Sequence, residues 1–131
     1  MRAGRGTEAV PALERAISLD ETNAGARNAL AYLYARSGER LDEALGHADE
    51  AIRHAPEGEV GYYHDTRGVI LWKLGRRSEA LDALREAVRL TPEGDRAARA
   101  ESYRNLALLL EETGEGEEAE RYRARADSLE R

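Results

Sequence analysis

The sequence predicts an all-α fold, built from helix–turn–helix pairs stacked along a single domain. Three observations predict it. The stretch EALGHADEAIRHAPEG, Glu43 to Gly58, returns thirty-six residues later as EALDALREAVRLTPEG, Glu79 to Gly94, with nine of the sixteen positions identical. Apolar residues recur at helical spacing and stop at Gly38, Gly75 and Gly114, where glycine supplies the left-handed conformation that ends a helix. No window alternates apolar and polar with period two, so no strand is expected. Repetition at this interval is the signature of stacked helical hairpins, each burying its apolar face against the next.

The elements follow in order. The first helix is expected to be short, with Val10, Leu13 and Ile17 on one face and Pro11 in its first turn, where a missing N–H costs least. The second runs from about Ala24 to Ser37, capped by Asn23 or Thr22, with Leu30, Leu33 and Tyr34 as its stripe. The third covers Leu41 to His54 and ends before Pro56; the fourth spans Val60 to Leu74. Ser78 is expected to cap the fifth, which continues to Leu90 before Thr91 and Pro92 break it. The sixth runs from about Asp95 to Thr113 and the seventh from Glu117 to Leu129, with Ala119, Tyr122, Ala126 and Leu129 inward. Connections this short force neighbouring helices antiparallel.

Composition narrows the function. The 131 residues carry a net charge of −6, and 35% are charged. No basic stripe offers itself to nucleic acid or to an anionic membrane. There is no cysteine, which removes disulfides, zinc ribbons and thiol nucleophiles together. The first twenty residues hold no continuous apolar stretch, and the longest aliphatic run is LALLL, Leu106 to Leu110. Neither a signal peptide nor a membrane span is expected, and the chain as given reads as cytoplasmic.

Small residues recur in register at Ala31, Gly68 and Ala107 on the first helices of the pairs. On the second helices they recur at Ala44, Ala80 and Ala119, and again at Ala51, Ala87 and Ala126. Large apolar partners stand at Tyr34, Leu71 and Leu110; Pro56 and Pro92 close units. On these residues the chain resembles the tetratricopeptide repeat family across nearly its whole length. The resemblance implies a right-handed α-solenoid of about seven helices. Residues 1–22 would form a leading half-unit, 23–58 unit one, 59–94 unit two, and 95–131 unit three with a charged capping helix. The pattern departs from the family's even repeat: the interval from Ala44 to Ala80 is 36 and from Ala80 to Ala119 is 39. Arg67 stands where the family prefers leucine, and Arg123 where it prefers an aromatic or leucine. The leading segment AVPALERAISLDETNA resembles the second helix of a unit whose first helix is missing, so part of the Val10, Leu13 and Ile17 stripe is expected to lie open for self-association.

In this family the first helices of successive pairs line a concave groove that holds peptides or helices. Carried over, the groove positions are Asn28, Tyr32 and Arg36; Tyr62, Asp65, Thr66 and Val69; and Glu101, Arg104, Asn105 and Leu108. One subgroup clamps the acidic C-terminal tails of heat-shock chaperones through Lys and Asn at fixed places, here taken by Asn28, Tyr32, Thr66, Glu101 and Asn105. Glu101 would repel a carboxylate, so no such clamp is expected, and an amphipathic helix fits the mixed surface better.

Catalytic chemistry has little to stand on. His47 and His54 are seven apart, whereas metal ligation along a helix wants spacings of three or four. In HDT, His64 to Thr66, the acid and base are adjacent, so their side chains diverge by about 100° on a helix. The glycines of EETGEGEEAE sit among glutamates, unlike a phosphate loop. Trp72 is expected to be partly buried between pairs, and Gly68 to permit close helix contact. The sequence therefore predicts a non-catalytic interaction module without cofactor or metal. Its partner would be a peptide or amphipathic helix in the groove, not nucleic acid or membrane. The alternatives are self-association through the first helix and, further off, a small-ligand binder or enzyme.

Overall fold

The computed structural model describes residues 2–131, with side chains from residue 8 onward. Seven helices and no strand occur among the described residues: α1 (Arg2–Leu19), α2 (Ala24–Ser37), α3 (Leu41–Arg53), α4 (Val60–Lys73), α5 (Arg77–Leu90), α6 (Arg96–Glu112) and α7 (Gly116–Leu129). Each helix packs on the next in sequence, giving the pairs α2/α3, α4/α5 and α6/α7 behind α1. In addition α2 lies against α4 and α4 against α6, whereas α3, α5 and α7 meet one another through side chains, as where Arg85 of α5 meets Glu118 of α7 at 3.3 Å. The first helices of the pairs therefore form the inner layer of an α-solenoid, and the second helices splay along its outer side.

Local chemistry sets the boundaries. The Asn23 side chain accepts the backbone N–H of Ala26 at 3.0 Å, and Asp95 accepts that of Ala98 at 3.1 Å, capping α2 and α6. Gly75 and Gly114 adopt positive φ, and the amides beyond them reach back to Leu71 O (2.9 Å) and Leu110 O (2.8 Å). That closes the last helical turn at a cost no other residue would match. Two boundaries differ from expectation. Ser78 lies inside α5, which starts at Arg77 without a side-chain cap; there the Arg76 guanidinium braces Glu79 of the first turn at 2.8–2.9 Å. Pro11 lies well inside α1 because that helix begins at Arg2. Pro11 is exposed, the side on which a lost helix hydrogen bond costs least.

The core is continuous along the stack. Leu30, Ala31, Tyr34, Ala44, Ala48 and Ile70 form its first segment, and Leu71, Ala80, Leu84, Leu106 and Leu109 the second, with Leu45 packed on both. The six registered alanines of α3, α5 and α7 are fully buried; each removes the bulk that would hold its partner helix away. Gly68 serves α4 in the same way, since a Cβ there would meet Leu84 Cδ2 at 2.7 Å. Trp72 is half-buried against the second segment, and its indole N–H donates to Glu112 of α6 at 3.0 Å. Arg67 has exchanged a leucine's packing for an ion pair, its Nε meeting Asp49 of α3 at 2.7 Å. Arg123 pairs with Glu111 and Glu120 on the outer side of the last pair.

Part of the α1 stripe is expected from the sequence to lie open. Val10, Leu13 and Ile17 are half-buried and pack on the first core segment. They form the main apolar stripe of α1, and α2 is the neighbour that takes it. Among the described residues, the large apolar side chain that α1 leaves in water is Leu19, 79% exposed.

Candidate partner-binding groove

Residues from α2, α4 and α6 meet in one cleft on the inner layer. Toward the N-terminal ends of the three helices it is lined by Asn28, Tyr32, Tyr62, Asp65, Thr66, Ala98, Glu101 and Ser102, enclosing about 240 Å³. Toward their C-terminal ends Ala35, Arg36, Val69, Lys73 and Asn105 continue it through a further 200 Å³. Nine of the eleven positions carried over from the family's groove thus share one cleft. Arg104 and Leu108 stand apart from it. The Arg104 guanidinium turns instead to Asp127 of α7 and to Glu130 just past its end. Leu108 stays 51% exposed on α6. Ala35, Lys73, Ala98 and Ser102 were missed in the sequence; Lys73 follows Val69 by four and Ser102 precedes Asn105 by three, so one-face spacing could have found both.

The floor is polar. Asp65 Oδ1 accepts the Ser102 hydroxyl at 3.0 Å and the Asn105 amide at 3.3 Å. Burial nonetheless raises the Asp65 pKa above the ordinary carboxylate value, and the negative charge of Glu101 adds to it. Thr66 is buried, its hydroxyl donating to Tyr62 O at 3.3 Å. The Tyr62 hydroxyl donates to Asp95 at 2.6 Å, which bolts the second unit to the third. Asn28 Oδ1 is buried with no hydrogen-bond partner. At the far end the Lys73 ammonium donates to Ala35 O at 2.7 Å, and the Arg36 guanidinium lies 5.8 Å from the Tyr32 ring centroid. Tyr32 itself is 47% exposed, an aromatic face open to a partner.

The histidines stand outside this cleft. His47 contacts Arg27 of α2 at 3.2 Å, and His54 faces Glu50 at 3.7 Å. Burial lowers the pKa of His47, and Arg27 lowers it further. His64 and Asp65 diverge as adjacent helical residues do: Asp65 faces Ser102, while the His64 ring, its pKa lowered by burial, lies nearest the charges of Glu86 and Arg67. No group of three or more His, Asp or Glu suited to a metal ion occurs among the described residues. Nor is any described helix long and apolar enough to cross a membrane.

The fold and groove are those of a helical-repeat protein, and comparison names the repeat. Two sequence profiles described as tetratricopeptide repeat match residues 1–59 and 61–93. The chain belongs to the tetratricopeptide repeat family. No curated protein matches it. Among solved structures it is similar to "MamA MSR-1 C2", with 25% identity, a TM-score of 0.73, and coverage of 98% of this chain and 70% of that one. It is also similar to "MamA 41-end from Desulfovibrio magneticus RS-1", with 16% identity, a TM-score of 0.80, and coverage of 98% and 68%. A further structure, "Crystal structure of MamA", gives 19% identity and a TM-score of 0.78 over 98% and 70%.

Proposed function

We propose that this chain is a non-catalytic interaction module that holds a peptide or amphipathic helix in the cleft of α2, α4 and α6. The observation that carries the reading is convergence. Nine residues picked from three separate helices by family register line one concave surface. That surface offers an exposed tyrosine, an aliphatic patch at Val69 and charged groups of both signs, the mixture an amphipathic segment needs. The test is selection of a displayed library of helical peptides on the purified chain, followed by amide chemical-shift mapping. The expected result is binding that shifts Tyr32, Thr66 and Asn105 and is lost in Tyr32→Ala with Asn105→Ala. Peptides that bind this variant unchanged, or shift only the outer helices, would refute the groove.

A second reading, assembly through α1, rests on a different observation. Ala9 and Ala16 correspond in register to Ala44 and Ala51, yet they are half-exposed where those are fully buried. With Ala12 and Leu19 exposed beside them, α1 presents a face that a first helix covers in every other pair. Sedimentation of wild type and Ala12→Glu across concentration separates the readings: assembly through α1 gives a mass that rises with concentration only in wild type.

A further inference from the structure

We propose that the cleft recognises its partner through one cationic side chain, arginine or lysine, seated against Asp65 and Glu101. This deepens the groove reading and rests on it. The argument begins with what the cleft lacks. Several carboxylates between helices find cations: Asp49 meets Arg67, Glu112 meets Arg77, Glu118 meets Arg85. Asp65 and Glu101 make no such pair among the described residues. Asp65 is nevertheless largely buried, and a buried carboxylate without a counter-ion is unfavourable.

Three hydroxyl donors nearby are already committed. The Ser102 hydroxyl serves Asp65, that of Thr66 serves Tyr62 O, and that of Tyr62 serves Asp95. Asn28, on the same wall, keeps an acceptor with no donor. A partner that brings N–H groups and positive charge answers both the unpaired carboxylates and the open acceptor, and arginine and lysine combine the two. The walls suit the same guest. Tyr32 already takes the Arg36 guanidinium near its ring, and a space of about 240 Å³ admits a side-chain head group. Arg36 and Lys73 line the far end. They disfavour a second cation there and point the partner's acidic or carbonyl end toward the C-termini of α2 and α4.

The test titrates the full-length 15N-labelled chain with N-acetyl-arginine N-methylamide, its neutral citrulline isostere and the glutamate analogue. Arginine is expected to shift Tyr32, Asp65, Glu101 and Ser102 saturably, and citrulline at least about tenfold more weakly. Asp65→Asn with Glu101→Gln is expected to bring arginine down to the citrulline level. The exposed Glu101→Gln alone, which leaves the floor intact, is expected to weaken arginine about threefold, the size of a surface charge pair. Equal binding of arginine and citrulline, or arginine selectivity that survives the double variant, overturns the proposal. If the glutamate probe binds the cleft and arginine does not, the cation inference falls and the groove stands. If all shifts gather outside the cleft, both fall.

Discussion

Gly61 offers the sharpest test of how the helix pairs are held. It is buried in the first turn of α4, where the end of α5 crosses closest. A Cβ added there would lie 2.6 Å from both the backbone nitrogen and the Oγ1 of Thr91, and 2.8 Å from the carbonyl carbon of Leu90. Ordinary contact begins at 3.4 Å, so Gly61→Ala demands a displacement of 0.8 Å. Thr91 cannot yield cheaply. Its N–H and hydroxyl both donate to Ala87 O, at 2.9 and 2.6 Å, and Arg99 holds its carbonyl at 3.0 Å. Overpacking of this kind costs about 1–3 kcal/mol. Alanine's helix propensity returns up to about 1 kcal/mol, and less in a first turn.

The expected net loss is about 2 kcal/mol, a fall in melting temperature of roughly 6–10 °C for a chain of this size. Urea and thermal unfolding followed by helix circular dichroism measure it. The control is Gly46→Ala in the middle of α3, where nothing lies within 4 Å of the added methyl; it is expected to gain about 1 kcal/mol. Because repeat arrays can unfold in stages, the comparison holds at unchanged denaturant slope. If Gly61→Ala matches or exceeds wild type while Gly46→Ala stabilises, the close contact of α4 with the α5 terminus is wrong.

Two further outcomes follow from groups already described. Asp95→Ala removes both the α6 cap and the acceptor of the Tyr62 hydroxyl, so it is expected to cost about 2 kcal/mol in urea unfolding, against about 1 kcal/mol for Asn23→Ala, which loses a cap alone. The Asp65 pKa is raised on folding, so the native state holds this proton more tightly than the unfolded chain does. Its contribution to stability is greatest below the ordinary aspartate value and is lost as pH rises through the raised value. Urea midpoints of Asp65→Asn are therefore expected to gain on wild type between pH 4 and 7; a difference that stays flat or runs the other way contradicts the buried carboxylate.

The fold was legible because the positions that build it repeat. Ala44, Ala80 and Ala119 announce close helix contacts three times over, and Gly38, Gly75 and Gly114 announce the stops. What could not be read lies where the repeat gives no copy. Pro11 suggested a helix start because proline is favoured there, yet the preceding residues continue the helix. How far Val10, Leu13 and Ile17 lie open could not be read, because the repeat offers no copy of the contact; they are half-buried on the first core segment. Arg104 follows Asp65 by 39, in register with it, but register does not fix where a long charged side chain finds its ion pair. At the end of this stack the guanidinium finds Glu130 instead.

The same division explains where specificity can reside. A residue that recurs in every unit is fixed by helix contact and says nothing about a partner. The longer second interval lies in α6, which has 17 residues against 14 in α2 and α4. Its first turns carry Asp95, which takes Tyr62; Arg99, which ties down Val88 O and Thr91 O; and Glu101 with Ser102, which face Asp65. The lengthened start of α6 thus helps lock unit three onto unit two, while Glu101, which stands in register at a groove position, furnishes the acidic side of the cleft. Shortening α6 to 14 residues would restore an even repeat. It would also withdraw the contacts of Asp95 and Arg99, leaving a more regular solenoid whose third unit is held less firmly on the second.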